Sequence, residues 1–394
     1  MNGLSQKRYL ELPLPTEDDP RSDQQRILDS LAAAGVEERV HIPVHILRQL
    51  YPLLDNAKWK ITVSLAWNGE NWEMVEIEEG DTTAQHYGLA VDLGSTTVVA
   101  RLLDCNSGEI LKEVSCFNKQ IQWGTDILSR IFYCKDNREK LEEVRRATVE
   151  SICECMDKLD ASHSALSMVI AGNTTMIHFL LGMDAFCVFY TPHAVHADCP
   201  GFQLARDLDI PLKGYVYCYP AKSNYLGGDI ISGMIDTELY KKNEISVFFD
   251  IGTNGELVIG NKEFLLCGAG AAGPALEGGV VRTGMRADVG AVDEVKIRDG
   301  NIFVHVIGNS APQGICGSGI IDLIAELFLE GWIDIRGKLS PEKSPLIQER
   351  DNQFCVEYAP GLYFYQKDID EFIRTKSAAH TMVEIMLRES GLDL

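Results

Sequence analysis

One short pattern is written twice in this chain, and it constrains the fold more than any other feature. A strand-like run from Tyr87 to Val91 ends in Asp92-Leu93-Gly94-Ser95-Thr96-Thr97, and Val98 to Leu103 returns as strand. Far downstream, Ile245 to Phe249 ends in Asp250-Ile251-Gly252-Thr253-Asn254-Gly255-Glu256, and Leu257 to Gly260 returns. A single Asp-x-Gly-hydroxyl turn between strands is ordinary; two copies, each flanked by strands on both sides, are not. A tight hairpin after a buried strand lets glycine bring backbone N–H groups close to a phosphate. Gly94, Ser95, Thr96 and Thr97 are the donors expected of the first loop, and Gly252, Thr253, Asn254 and Gly255 those of the second. Asp92 and Asp250 suit a hydrated magnesium ion, held through water, because that ion prefers carboxylate and keeps its waters. Two such hairpins across one cleft would clamp a triphosphate, and catalysis would come from positioning and charge neutralisation.

Two further segments suit the same cleft. Leu166 to Ala171 reads as strand, followed by Gly172-Asn173-Thr174-Thr175 and an apolar helix from Met176 to Leu181. A strand-to-helix turn presents N–H groups to an anion, which makes Asn173 and Thr174 candidates. Gly314-Ile315-Cys316-Gly317-Ser318-Gly319 opens a helix from Ile320 to Glu330. Gly317, Ser318 and Gly319 suit a phosphate or ribose, and close helix packing explains those glycines equally well.

Composition narrows the partners. The 394 residues are 45% hydrophobic, enough for two or three packed domains, and no apolar run is long enough to span a membrane. The first twenty residues lack the apolar core of a signal peptide. A net charge of −22 argues against nucleic acid as the main partner, yet leaves room for an anion bound by backbone N–H groups. The eleven cysteines are scattered without a CxxC motif, which suggests buried thiols in a reducing cytoplasm and no iron–sulfur cluster in this chain.

The amino end reads as a small α+β domain over 1–84. Pro13, Pro15 and Pro20 mark an extended opening, Asp23 is placed to cap a helix that Gly35 ends, and a second helix is expected from Val44 to Leu54. Trp59 to Trp67 and Trp72 to Ile77 read as strands joined by an Asn68-Gly69 turn. Beyond residue 84, short apolar runs alternate with helical stretches in an α/β pattern, which divides into 85–244 and 245–394.

Rival motifs are weaker. Gly268-Ala269-Gly270-Ala271-Ala272-Gly273 matches GxGxxG, but Gly278-Gly279 stops any following helix too soon for a dinucleotide crossover. A close-packed turn is the expectation there, with Glu277 facing a cleft or solvent. His193, His196 and Cys199 have metal-like spacing in a proline-framed loop without a second ligand pair. No Walker A, HExxH or GxSxG motif occurs.

The paired hairpins resemble those of the ASKHA superfamily, which includes actin and the acetate and sugar kinases. Gly124-Thr125-Asp126-Ile127-Leu128-Ser129-Arg130-Ile131, Ala171 to Met176, Asp250 to Glu256, Gly270 to Gly279 and Gly314 to Gly319 together resemble the ATP-dependent reductive activators of corrinoid proteins. That resemblance implies an α/β fold with actin-like, duplicated ribonuclease-H-like domains and a small N-terminal α+β domain. It implies ATP and Mg2+ as cofactors, and hydrolysis that drives reduction of cob(II)alamin to cob(I)alamin in a corrinoid methyl-carrier protein of a methyltransferase system. It further implies a cytoplasmic homodimer. Two departures stand out: no ferredoxin domain is present, so the electron must come from an external donor or a missing segment, and no Gly-Gly-Phe-Gly type adenosine loop follows the helical run Ser377 to Leu387. The second ASKHA subdomain is therefore expected to be incomplete at its carboxyl end. The competing readings are a small-molecule kinase of the same superfamily, with Asp229 as its base, and a truncated interaction module that binds no nucleotide.

Overall fold

In the computed structural model, which describes residues 3–124, 126–161, 164–224, 226–252, 255–270 and 281–391, the chain opens on a strand, β1 (Ser5–Glu11). The prolines after it drew the expectation of an extended entry and hid this element. Two of its charges are met by tertiary partners: the buried Lys7 pairs with Glu78 over 2.6 Å and Glu11 with Lys60 over 3.2 Å. Helix α1 (Asp23–Ala33) is capped by Ser22, whose hydroxyl accepts from the Gln25 N–H, so Asp23 is the first helical residue and not the cap. Gly35, with φ of 85°, follows its end. After β2 (Val40–His41), the expected single helix is two short ones, α2 (Val44–Leu47) and α3 (Leu50–Asn56). Tyr51 sits at φ −110°, ψ 130° because Pro52 disfavours helical geometry in the residue before it. Strands β3 (Lys60–Trp67) and β4 (Trp72–Glu79) form the hairpin; Asn68 Oδ1 accepts from the N–H groups of Glu70 and Asn71, and Gly69 takes φ of 105°. The sheet order is β1-β3-β4-β2, and Ile27, Leu31, Ile46, Ile61, Val63, Leu65 and Met74 fill one core beneath it.

A six-stranded sheet follows, ordered β7-β6-β5-β8-β10-β9. Its strands are β5 (Tyr87–Leu93), β6 (Thr97–Asp104), β7 (Ile110–Phe117), β8 (Ala165–Gly172), β9 (Gly201–Leu204) and β10 (Tyr215–Cys218). The first three make an antiparallel meander, and β8 and β10 then run parallel to β5, the ribonuclease-H-like order. Helices α4 (Ile127–Cys134) and α5 (Arg138–Lys158) carry the chain from β7 back to β8. In α5, Val144, Ala147, Thr148, Ser151, Ile152 and Cys155 recur at helical spacing and are buried. Next come α6 (Thr174–Leu180) and, leading out of the sheet, α7 (Gly228–Thr237). The α+β layer rests on this sheet where Ala66, Val75 and Leu166 meet. Apart from the last residues of α7, which pass the boundary, these elements lie in one compact unit, residues 1–233.

The second unit, residues 234–394, repeats the antiparallel meander with β11 (Ser246–Ile251), β12 (Gly255–Gly260) and β13 (Leu265–Gly270). It continues through β14 (Ala291–Arg298), β15 (Asn301–Val306), β16 (Gly314–Ile315), α8 (Gly317–Leu329), β17 (Ile347–Arg350), β18 (Gln353–Ala359), β19 (Leu362–Tyr365) and α9 (Gln366–Glu389). Asp322 and Glu326 on α8 accept from the N–H groups of Val295 and Ile297, so the helix closes the edge of β14 with its own carboxylates. Gly268 and Gly270 lie in β13, not in a turn. A Cβ on them would come within 2.6 Å of Met386 Sδ and 2.9 Å of Met382 Sδ, so these glycines admit α9 against the strand. Residues 271–273 of that GxGxxG motif, and Glu277, lie outside the described residues. No helix among the described residues is long and apolar enough to cross a membrane.

Candidate functional site

The first hairpin is tighter than its sequence alone requires. Leu93 pairs with Val98, leaving only Gly94, Ser95 and Thr96 between the strands, while Thr97 already belongs to β6. A Cβ on Gly94 would stand 2.4 Å from the Thr97 carbonyl oxygen, so only glycine fits. The carbonyls of all three turn residues are taken from behind. Asn118 Nδ2 donates to Gly94 and the Asn118 N–H to Thr96, each over 2.9 Å, and Arg130 Nη1 donates to Ser95 over 2.6 Å. Arg130 is fully buried; its Nε also donates to the Gly124 carbonyl and its Nη1 to Gln120 Oε1. With its acceptors turned into the protein, the turn offers amides and hydroxyls, the groups an anion needs. Arg130 in turn is placed by α4, where the Asp126 carboxylate caps the helix by accepting from the Ser129 N–H and hydroxyl, bonds that hold it below the usual carboxylate range. The anchoring roles of Asn118 and Arg130 went unrecognised in the sequence, although Arg130 lies inside one of its marked motifs.

The Asn173 turn lies beside this hairpin. Because β5 and β8 are parallel, with Asp92 opposite Ala171 and Leu93 opposite Gly172, both turns leave the carboxyl edge of the same sheet. That edge is where open α/β sheets hold ligands. A third segment, after β10, presses in: a Cβ on Gly227 would meet Asn173 Cα at 2.4 Å, and one on Gly172 would meet the Leu93 carbonyl oxygen at 2.7 Å. Asn173 Oδ1 accepts from the Met176 N–H, which leaves its amide nitrogen as the donor for a ligand. Thr174 is buried, and its hydroxyl donates to the Ser223 carbonyl over 2.6 Å, so it fastens the third segment. Asp92 is exposed at this edge. Asp229, in the first turn of α7, accepts from the Ile230 N–H.

In the second unit, Asp250 pairs with Glu256 and Ile251 with Gly255 across the β11–β12 hairpin. Thr253 and Asn254 lie outside the described residues; Gly252 and Gly255 bound them. Asp250 is half-buried, and burial pushes its carboxyl above the ordinary aspartate value. Gly317, Ser318 and Gly319 form the first turn of α8, after the Cys316 cap. A Cβ on Gly319 would lie 2.3 Å from the Val292 carbonyl oxygen, so that glycine serves helix–strand contact. Ser318 Oγ lies 3.2 Å from Cys316 Sγ.

Among the described residues no cluster of three or more His, Cys, Asp or Glu forms a metal site, His193, His196 and Cys199 included. The loop's link to the core is instead His178, buried on α6, which the sequence did not single out. Its Nδ1 contacts the Thr174 carbonyl at 2.7 Å and its Nε2 the His196 N–H at 3.2 Å. A carbonyl only accepts and an amide only donates, so the ring is neutral with its proton on Nδ1. Burial accordingly lowers its pKa.

Residues 1–84 match the RACo linker region, 87–242 the RACo middle region and 244–394 the C-terminal ASKHA domain of RACo. The chain is 35% identical to "Corrinoid activation enzyme RamQ" of Eubacterium limosum over 71% of its own length and 48% of that protein. It is 23% identical to "[Co(II) methylated amine-specific corrinoid protein] reductase" of Methanosarcina barkeri over 78% of its length and 60% of that protein. It thus spans about half to three fifths of these curated relatives. A solved "Reductive activator for corrinoid,iron-sulfur protein" superposes with a TM-score of 0.89 at 34% identity, over 100% of this chain and 65% of that one. With linker, middle and ASKHA regions matched in order, the chain belongs to the RACo family.

Proposed function

We propose that this chain is the nucleotide-handling part of an ATP-dependent reductive activator of a corrinoid methyl-carrier protein. The observation that carries the reading is the Asp92–Thr97 hairpin, whose three turn carbonyls are held inward by Asn118 and Arg130. A turn built this way suits phosphate oxygens, and β11–β12 repeats its Asp-x-Gly start. In this reading Gly94, Ser95, Thr96 and Thr97 of the first hairpin, and Gly252, Thr253, Asn254 and Gly255 of the second, are the phosphate donors for ATP. Asp92 and Asp250 hold Mg2+ through its waters, while Asn173 and the Gly317–Gly319 turn border the nucleotide. ATP hydrolysis supplies the free energy for passing one electron to cob(II)alamin, which becomes cob(I)alamin. The electron comes from an external donor or a ferredoxin domain, and the activator works as a cytoplasmic homodimer. Segments 1–84, 85–244 and 245–394 are its working divisions. The role of the protein residues is to bind and orient the phosphates and to exclude stray water from them.

The test is hydrolysis of Mg-ATP by this chain with and without an oxidised corrinoid protein. Slow basal turnover that rises several-fold with the corrinoid protein is expected. Turnover that ignores the corrinoid protein and rises with a sugar or a carboxylic acid would overturn the reading in favour of a kinase.

A further inference from the structure

Away from the phosphate loops, the first unit contains an open pocket of about 460 Å³ lined by Gly3, Leu4, Glu38, Trp67, Trp72, Phe202 and Tyr217. That volume lies within the roughly 300–1,000 Å³ of pockets that hold small ligands. Two cross-strand aromatic pairs build it. Trp67 closes β3 opposite Trp72, which opens β4, and their rings meet edge to face with centroids 5.2 Å apart. Phe202 on β9 stands opposite Tyr217 on β10, with centroids 4.9 Å apart. The two sheets are locked together beside the pocket: Tyr215 donates to Glu73 over 3.0 Å, and Gly69 leaves room for the Phe202 ring, to which a Cβ would come within 3.2 Å. The geometry is therefore set by both sheets and not by one mobile loop.

Among the described residues, Glu38 is the one carboxylate of the lining, and no Lys, Arg or His lines the pocket. Trp72 Nε1 donates to Glu38 Oε2 over 3.3 Å and so holds the carboxylate at the rim. Aromatic faces beside one carboxylate attract a cation by ring quadrupole and by charge. Hydrogen-bonding capacity then selects among cations. The Leu4 carbonyl already accepts from the Trp67 N–H, so few acceptors remain for a primary ammonium with three N–H donors. A quaternary ammonium needs none, and its diffuse charge is lightly hydrated.

We propose that this pocket binds a small quaternary ammonium cation, with Trp67, Phe202 and Tyr217 as its aromatic walls and Glu38 as its counter-charge. The site is independent of the nucleotide reading.

Titration of the full chain with tetramethylammonium chloride, followed by tryptophan fluorescence, tests it, with sodium chloride, methylammonium chloride and neutral tert-butanol as parallel titrants. The expected result is a saturable change with tetramethylammonium alone, weakened about three- to tenfold in Glu38→Gln and in Phe202→Leu. Glu38 is exposed, so Glu38→Gln keeps the fold even where Phe202→Leu does not. No saturable response, an equal response to tert-butanol or methylammonium, or a response that Glu38→Gln leaves unchanged would overturn the proposal.

Discussion

Arg130 donates to the carbonyl oxygen of Ser95 over 2.6 Å, from a side chain with no exposed surface. A buried guanidinium thus sets the back of the first hairpin, and the N–H and hydroxyl groups of the turn inherit their placement from it. Removing it leaves the carbonyls of Ser95 and Gly124 without their partner. Arg130→Ala should cost on the order of 3 kcal/mol of stability, read by urea denaturation. Arg130→Lys should recover part of the stability but not the nucleotide affinity, because an ammonium does not reproduce the fork.

Asp250 carries opposite consequences for stability and activity. Burial raises its carboxyl pKa, so the folded state holds a proton more readily than the unfolded chain. Its favourable contribution is complete below the unfolded value of about 4 and is lost as pH rises through the folded value. At neutral pH the ionised side chain is thus a burden that Asp250→Asn relieves. The thermal midpoint should rise at pH 7, with the gain vanishing near pH 4, while nucleotide hydrolysis falls on the order of 100-fold. Calorimetric scans at the two pH values, beside hydrolysis assays, check both halves.

His178 gives the reverse pH dependence. Its folded pKa is lowered by burial, so its contribution is present above about pH 6.5 and is lost as pH falls through the folded value. Protonation at Nε2 would also cost the bond from the His196 N–H. The urea midpoint should drop between pH 7.5 and 5.5, and the drop should be smaller in His178→Gln.

The two glycine-rich motifs of the second unit separate by what their glycines touch. Gly319 faces the Val292 carbonyl oxygen at 2.3 Å, and backbone cannot step aside; Gly268 faces Met386 Sδ at 2.6 Å, and a methionine can turn. Gly319→Ala should cost about 3 kcal/mol and Gly268→Ala roughly 1 kcal/mol in chemical denaturation. Equal costs would show that α9 has no room to adjust.

What the sequence showed plainly was local. The two Asp-x-Gly hairpins were legible because strand, turn and strand follow one another directly, over residues 87–104 and 246–260, and the Asn68-Gly69 turn for the same reason. What escaped depends on partners distant in sequence. The Arg130 anchor needs Ser95 and Gln120, brought together only by the sheet. Strand β1 needs Glu78 to accept the buried Lys7. Gly268 and Gly270 read as part of a close-packed turn, and only Met382 and Met386 of α9 supply the reason for glycines inside a strand. Ser22 and Asp23 are both good caps by type, and only the backbone path chose between neighbours.

The proposed function requires Asp92 and Asp250 each to contribute to ATP binding, and isothermal titration of Mg-ATP into the chain and its Asp92→Asn and Asp250→Asn variants tests it most directly. The account predicts one site per chain, with affinity lost at least tenfold in each variant while each retains its fold. Binding that either variant leaves at full strength would contradict it.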